Sequence, residues 1–324
     1  MAALALGIGL GTGAPPIARR TRFETRAIVG RPVVGNAAEA RHFDMADSVS
    51  VYGTQYFLPS RGTIVVQHGL GAHDAIAMQV GDSLRRATGM NVLFLDLRGN
   101  GRSGGARGRL AHDAQYGDDI ADVVRELKRR NPSGPVLLVG VRQGAGPMLA
   151  FAARPRNPQH PRAQGIVLIE PILTFEALAL AGTQDGSAFQ WHTRRLRTQQ
   201  VLNVAGLHFA DRLPVAYQLA QQPDGPTART FSWRAIRTLL PQDPWAIANG
   251  IALPLLLIDR ASAATSPLRR TDLHEVATLP VGTSLWATGT WRILENWTAQ
   301  FSADAASPAN ILPYAPIPLT DTTR

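Results

Sequence analysis

Cysteine is absent from the 324 residues, which excludes disulfides, thiolate metal sites and a cysteine nucleophile. Lysine is nearly absent too: Lys128 is the single lysine among 33 basic residues. No apolar run reaches the roughly 18–20 residues that a membrane span needs, so no transmembrane segment is expected. Acid is missing from the start of the chain, where Glu24 is the first carboxylate. The eight histidines show no ligand spacing such as H-E-x-x-H, so neither a metal site nor a cofactor is expected.

What is present supports a large folded domain. Hydrophobic residues make up 45% and charged residues 18% of the chain, enough apolar material for a sizeable core. The length allows two average domains or one large α/β domain with an insertion. The net charge of +9 comes from scattered arginines, among them Arg85-Arg86, Arg129-Arg130, Arg194-Arg195 and Arg269-Arg270. They lack interleaved aromatics, which argues against specific nucleic-acid recognition. An anionic surface remains a suitable neighbour, although an arginine-rich, lysine-poor composition also follows from GC-rich coding alone. Arg19, Arg20 and Arg22 come after the apolar start, the reverse of a secretory signal. That pattern is compatible with a mitochondrial transit segment or with a plain N-terminal arm in a cytoplasmic protein.

From about Arg41 the texture becomes that of an α/β protein. Val49 to Leu58 reads as a strand with a possible break at Gly53. Thr63–Gln67, Asn91–Leu95, Pro135–Val139, Gly165–Ile169 and Leu253–Ile258 are short apolar strands. Ala75–Thr88, Tyr116–Arg130 and Pro147–Ala153 are helical in spacing, with Ile120, Val123, Val124 and Leu127 on the inward face of the second. Such alternation predicts a mostly parallel central sheet with helices on both faces. It stops between Leu173 and Gly250, where a long, mostly helical insertion is expected to cap one end of the sheet. The organisation expected is an N-terminal extension (1–37), a main domain (38–301) containing the insertion (173–250), and a proline-spaced extended tail (302–324).

Three stretches carry a family resemblance. They are His68-Gly69-Leu70-Gly71, the run from Asp96 to Gly105 (DLRGNGRSGG), and Tyr116 with Asp118-Asp119. The later segments Phe231-Ser232-Trp233 and Asp243-Pro244-Trp245 extend it. Together they resemble the monoacylglycerol-lipase and serine-aminopeptidase-like branch of the α/β-hydrolases, over roughly residues 38–301. In that family a strand ends in G-x-S-x-G, with the serine raised on a strained turn. Here the strand leads into Gly140-Val141-Arg142-Gln143-Gly144, so the nucleophile's position holds Arg142. A guanidinium stays protonated and is no nucleophile at neutral pH. The family pattern puts Ala263 at the acid's position, with Asp259 four residues early, and Ser284 at the base's position. A competing alignment puts Gly289-Thr290 there. The resemblance also assigns the oxyanion-hole amides to Leu70 and Gln143.

On this reading Arg142, Ala263 and Ser284 are a degenerate triad, and the chain is expected not to be an enzyme. The function that follows is a structural subunit that binds other proteins in a larger, organellar assembly. The alternative is an esterase- or lipase-like protein using a non-standard pocket, in which Arg142 binds an anionic group and finds an acidic or carbonyl partner. Other candidates have plainer readings. His68 orders its loop, His73-Asp74 starts a helix, and the loop from Gly99 to Gly104 lacks the G-K-[ST] of a nucleotide cradle. Asp118-Asp119 is expected to be a solvated first helical turn.

Overall fold

The computed structural model describes residues 38–57, 62–69, 74–154, 162–175, 177–178, 189–218, 230–260, 267–269, 271–279 and 288–302. The two chain extensions, 1–37 and 303–324, therefore lie outside it. Ser302 closes the last helix, so the expected tail does not begin there.

Eight strands form the central sheet. They are β1 (Ala38–Asp44), β2 (Ser50–Tyr56), β3 (Thr63–Gln67), β4 (Asn91–Leu95), β5 (Val136–Val141), β6 (Gly165–Ile169), β10 (Leu255–Asp259) and β11 (His274–Thr278). Their order across the sheet is β1-β2-β4-β3-β5-β6-β10-β11. The hairpin β1–β2 and the pair β2–β4 are antiparallel. From β4 to β11 all neighbours run parallel. The expected fold is thus observed: a mostly parallel sheet with helices on both faces.

The parallel strands read as unbroken apolar runs because both of their faces are covered. Alternate residues feed two cores. Val65, Leu93, Leu138, Ile166 and Leu257 point to one side. There they meet helix α2 (Gln115–Arg130) through Ile120, Val123, Val124 and Leu127, and helix α3 (Ala145–Ala152) through Met148 and Leu149. Ile64, Val92, Leu137, Val167 and Leu256 point to the other side, toward α1 (Asp74–Thr88) and α7 (Thr288–Ser302), which contribute Leu84 and Trp297. Strand β2 runs through Gly53 without a break. A Cβ there would sit 2.7 Å from Leu93 Cδ1, so the glycine serves close strand packing.

The insertion differs from the expected helical cap. Helices α4 (Thr193–Val204), α5 (Trp233–Leu239) and α6 (Pro244–Gly250) are accompanied by a separate antiparallel sheet. Its strands are β7 (Phe189–Trp191), β8 (Pro214–Gln218) and β9 (Thr230–Ser232). A third core beneath it joins Val215, Phe231 and Trp233 to Leu97 and Tyr116 of the main domain. Phe175 stacks on Trp233 with centroids 5.8 Å apart. Ser232 and Asp243 cap α5 and α6 by accepting from the amides of Ala235 and Ala246.

Candidate functional site

Strand register assembles the site at the carboxyl ends of the parallel strands, where open α/β sheets hold their ligands. Val141 pairs with Ile169, and Ile169 with Ile258. The next residues along β5, β6 and β10 are therefore set in a row: Arg142, Glu170 and Asp259. On the other flank Gln67 pairs with Leu95 and with Gly140, which brings His68 and Asp96 to the same edge.

Arg142 occupies a sharp strand-to-helix turn. β5 ends at Val141, Arg142 takes φ 53°, a single 3₁₀ turn covers Arg142–Gly144, and α3 begins at Ala145. Two glycines make this possible. A Cβ at Gly144 would lie 2.0 Å from the Gln67 carbonyl oxygen, and one at Gly140 would lie 2.6 Å from Ala145 Cα. The turn that the resemblance implies is thus built in full, with an arginine at its apex. Left-handed backbone in a residue with a long side chain costs of order 1–3 kcal/mol and concentrates at working sites. The Arg142 side chain is half-buried, while Gln143 is buried and its side-chain oxygen packs against Gly69.

Glu170 shows the same strain, with φ 41°. Its amide donates to the Ile258 carbonyl at 2.8 Å, and the Ile172 amide donates to the Arg142 carbonyl at 3.2 Å, so the segment after β6 is tied to the turn after β5. Arg260 forms an ion pair with Glu170 through Nε and Oε1. Burial pushes the Glu170 carboxyl above its ordinary value; Arg260 and Arg142 oppose the rise, and the nearby negative charge of Asp259 adds to it. Asp259 Oδ1 accepts the Arg260 amide at 2.7 Å. Sequence reasoning passed over Glu170. The available signal was a carboxylate placed directly after a buried apolar strand and before Pro171.

His68 and Asp96 are buried together, with Nε2 and Oδ1 3.6 Å apart. His68 Nδ1 lies 2.8 Å from the Gly69 carbonyl. Asp96 Oδ2 accepts the Arg102 amide at 2.9 Å. The rest of the glycine-rich loop spends these amides on backbone carbonyls: Gly99 on Gly104, Ser103 on Asn100, and Gly104 on Ser50 at the start of β2. It holds its own shape and offers those amides to no phosphate.

The pair Asp118-Asp119 is not the solvated turn expected. Asp119 is buried and accepts from Arg98 Nε at 2.9 Å, while Arg98 Nη1 donates to Asp47 at 2.7 Å. Arg98 holds Asp47 below the ordinary carboxylate range, whereas burial keeps Asp119 above it. This network, buried at Arg98 and Asp119 and exposed at Asp47, ties the loop after β4 to α2 and to the β1–β2 turn. Asp118 turns outward to Arg154 and His112.

Leu70, Ala263 and Ser284, the positions assigned to the oxyanion hole, acid and base, lie outside the described residues, as does His73. Of the competing pair, Gly289 and buried Thr290 fall in the first turn of α7. Among the described residues no group of three or more acidic or histidine side chains could hold a metal ion. No described helix is long and apolar enough to cross a membrane.

Residues 59–259 match the family described as serine aminopeptidase, S33. Over 94 residues, 29% of this chain, the sequence is 33% identical to a monoacylglycerol lipase of Mycolicibacterium smegmatis, and the match spans 33% of that relative's length. A soluble variant of the monoglyceride lipase of Saccharomyces cerevisiae, solved with a substrate analogue, shares the fold with a TM-score of 0.60 at 13% identity, covering 84% of this chain and 98% of the other. The monoacylglycerol lipase of Paleococcus ferrophilus does so at 0.50 and 18%, covering 78% and 99%. These relationships overturn the expectation of a non-enzyme: they point to a hydrolase related to lipases. The strand-turn-helix after β5 and its companion glycines are intact even though Arg142 stands at the apex.

Proposed function

The chain belongs to the serine aminopeptidase S33 family of α/β-hydrolases, and from that premise we propose that it is an esterase- or lipase-like hydrolase whose pocket takes an anionic group on Arg142. The observation that carries this reading is the placement of Arg142 at the apex of the turn after β5, left-handed, half-buried and beside Glu170. Relatives present their reacting side chain at that point. A guanidinium cannot attack a carbonyl there. It is a permanent cation with a planar fork of donors, suited to gripping a carboxylate or phosphate by two hydrogen bonds. The substrate class that fits is an ester bearing such a group near its scissile carbonyl.

The cap supports an amphiphilic substrate. Val201 and Val204 on α4, with Leu207 and Phe209 after it, are exposed apolar side chains. Arg194, Arg197 and Arg212 are exposed on the same segment, placing positive charge beside the apolar surface. Exposed apolar groups rimmed by charge fit a chain with an anionic head.

The test compares mono-octyl succinate with octyl butyrate, an ester of similar length without the carboxylate. Turnover of the succinate ester, preferred over the butyrate, is expected. Arg142→Met should raise its KM about tenfold, the loss of the charge-assisted grip on the carboxylate, and change the KM for octyl butyrate far less. Equal handling of both esters by the wild-type protein, or an Arg142→Met variant with an unchanged preference, defeats the reading.

A further inference from the structure

With Arg142 unable to attack, a hydrolase built on this turn needs water and a base to activate it. Among the described residues, four carboxylates and imidazoles stand at the sheet edge, and three of them face groups other than Arg142. His68 has Nδ1 against the Gly69 carbonyl, and its Nε2 faces the buried Asp96 carboxylate at 3.6 Å. Asp96 spends Oδ2 on the Arg102 amide, turns Oδ1 to His68 and is buried. Asp259 accepts its neighbour's amide at the end of β10. Glu170 is different. It follows the residue paired with Val141, so it stands beside Arg142 across one strand spacing. It holds a left-handed backbone that nothing in the strand itself requires. Arg260 grips one of its oxygens, Oε1, which fixes the carboxylate's orientation.

Resting on the function proposed above, we propose that Glu170 is the catalytic base of this hydrolase, drawing a proton from the water that attacks the substrate carbonyl. Arg142 holds the substrate's anionic group, and Arg260 orients Glu170 so that Oε2 meets the water. The water gives a proton to Glu170 as its oxygen bonds to the carbonyl carbon, and the carbonyl π electrons move to oxygen. The Gln143 amide, in the first turn leading into α3, is placed to stabilise that oxyanion. Collapse of the tetrahedral adduct breaks the ester C–O bond, and Glu170 returns its proton to the departing alkoxide. The products are a carboxylic acid and an alcohol, and Glu170 ends as it began. The raised affinity of its carboxyl for protons, caused first by burial, strengthens it as a base.

The experiment uses the full chain with mono-octyl succinate as substrate and octylphosphonate as a non-cleavable probe. Glu170→Gln keeps shape and removes the base. Its kcat should fall about 100-fold or more, the range that a positioned base supplies, while octylphosphonate binding by calorimetry stays within about twofold of wild type. Glu170→Asp should recover part of the loss, with a displaced acid limb in its pH profile; it also decides the matter if Glu170→Gln melts early. A single turnover in ¹⁸O-water should label the succinate and leave Glu170 unlabelled. Glu170→Gln turnover within threefold of wild type overturns the base while the hydrolase reading stands. Label on Glu170 overturns it in favour of a carboxylate nucleophile. Wild-type protein that binds octylphosphonate yet cleaves no ester defeats the hydrolase reading, and the base with it.

Discussion

Arg142 and Glu170 close two neighbouring parallel strands one residue beyond the registered pair Val141 and Ile169, and both carry left-handed backbones. Ser48, in the β1–β2 turn, is the other non-glycine residue with positive φ among those described. Strain in a turn is common, but two strained residues of opposite charge, side by side on rigid strands, mark a place where the fold gives up stability to aim side chains.

That strain predicts a gain on its removal. Arg142→Gly should stabilise the protein by about 1 kcal/mol, because glycine adopts φ 53° without penalty and the relief exceeds the extra unfolded-state entropy. Denaturant titration measures it. A variant less stable than wild type would show that the arginine side chain holds the turn together.

Glu170 predicts a pH signature in stability as well as in rate. Its folded carboxyl is raised above the ordinary 4.5, so between those two values the folded state holds the proton more often than the unfolded state. Stability from this group is therefore present below about 4.5 and is lost as pH rises through the folded value. Glu170→Gln, permanently neutral, should gain on wild type as pH rises from 4 to 7. A gap that stays constant across this range would contradict the shift. Arg142, Arg260 and Asp259 are the charged groups that face Glu170.

How much of this was legible in the sequence depended on the distance over which each feature is determined. The parallel strands were, because burial on both faces forces continuous apolar runs such as Val136–Val141. The turn at Gly140 to Gly144 was, because close backbone packing demands glycine at two fixed positions. Glu170 was not, since its neighbour Arg142 is set by sheet register. Buried Asp119 was misread because its partner Arg98 arrives from another loop. The cap strands β7 and β9, three residues each, are too short to show a two-residue period.

Removing Arg98 should be severe. Arg98→Leu strands Asp119, buried, without its cation and releases Asp47, at a cost of about 3–5 kcal/mol. Adding Asp119→Asn should recover part of that loss, since the stranded charge disappears. Thermal melts of both single variants and the double variant give the coupling; simple additivity would show that the pair contributes nothing as a pair.

The glycines offer a contrast that separates close packing from backbone conformation. At Gly144 an added Cβ would fall 2.0 Å from the Gln67 carbonyl oxygen, which belongs to the end of β3 and cannot move without breaking strand pairing. At Gly206, after α4, φ is 73° and nothing lies within 4 Å, so alanine meets only the left-handed penalty. Gly206→Ala should therefore cost about 1 kcal/mol, the conformational term alone. Gly144→Ala should cost about 3 kcal/mol, the upper end for forced repacking of a tight contact. Because Gly144 sits beneath the turn that presents Arg142, its variant should also weaken octylphosphonate binding, whereas Gly206→Ala should leave binding unchanged. Equal losses of stability at the two sites, or a Gly144→Ala protein that binds the probe like wild type, would mean that the end of β3 yields to the methyl group and that the turn is less rigidly held than its contacts indicate.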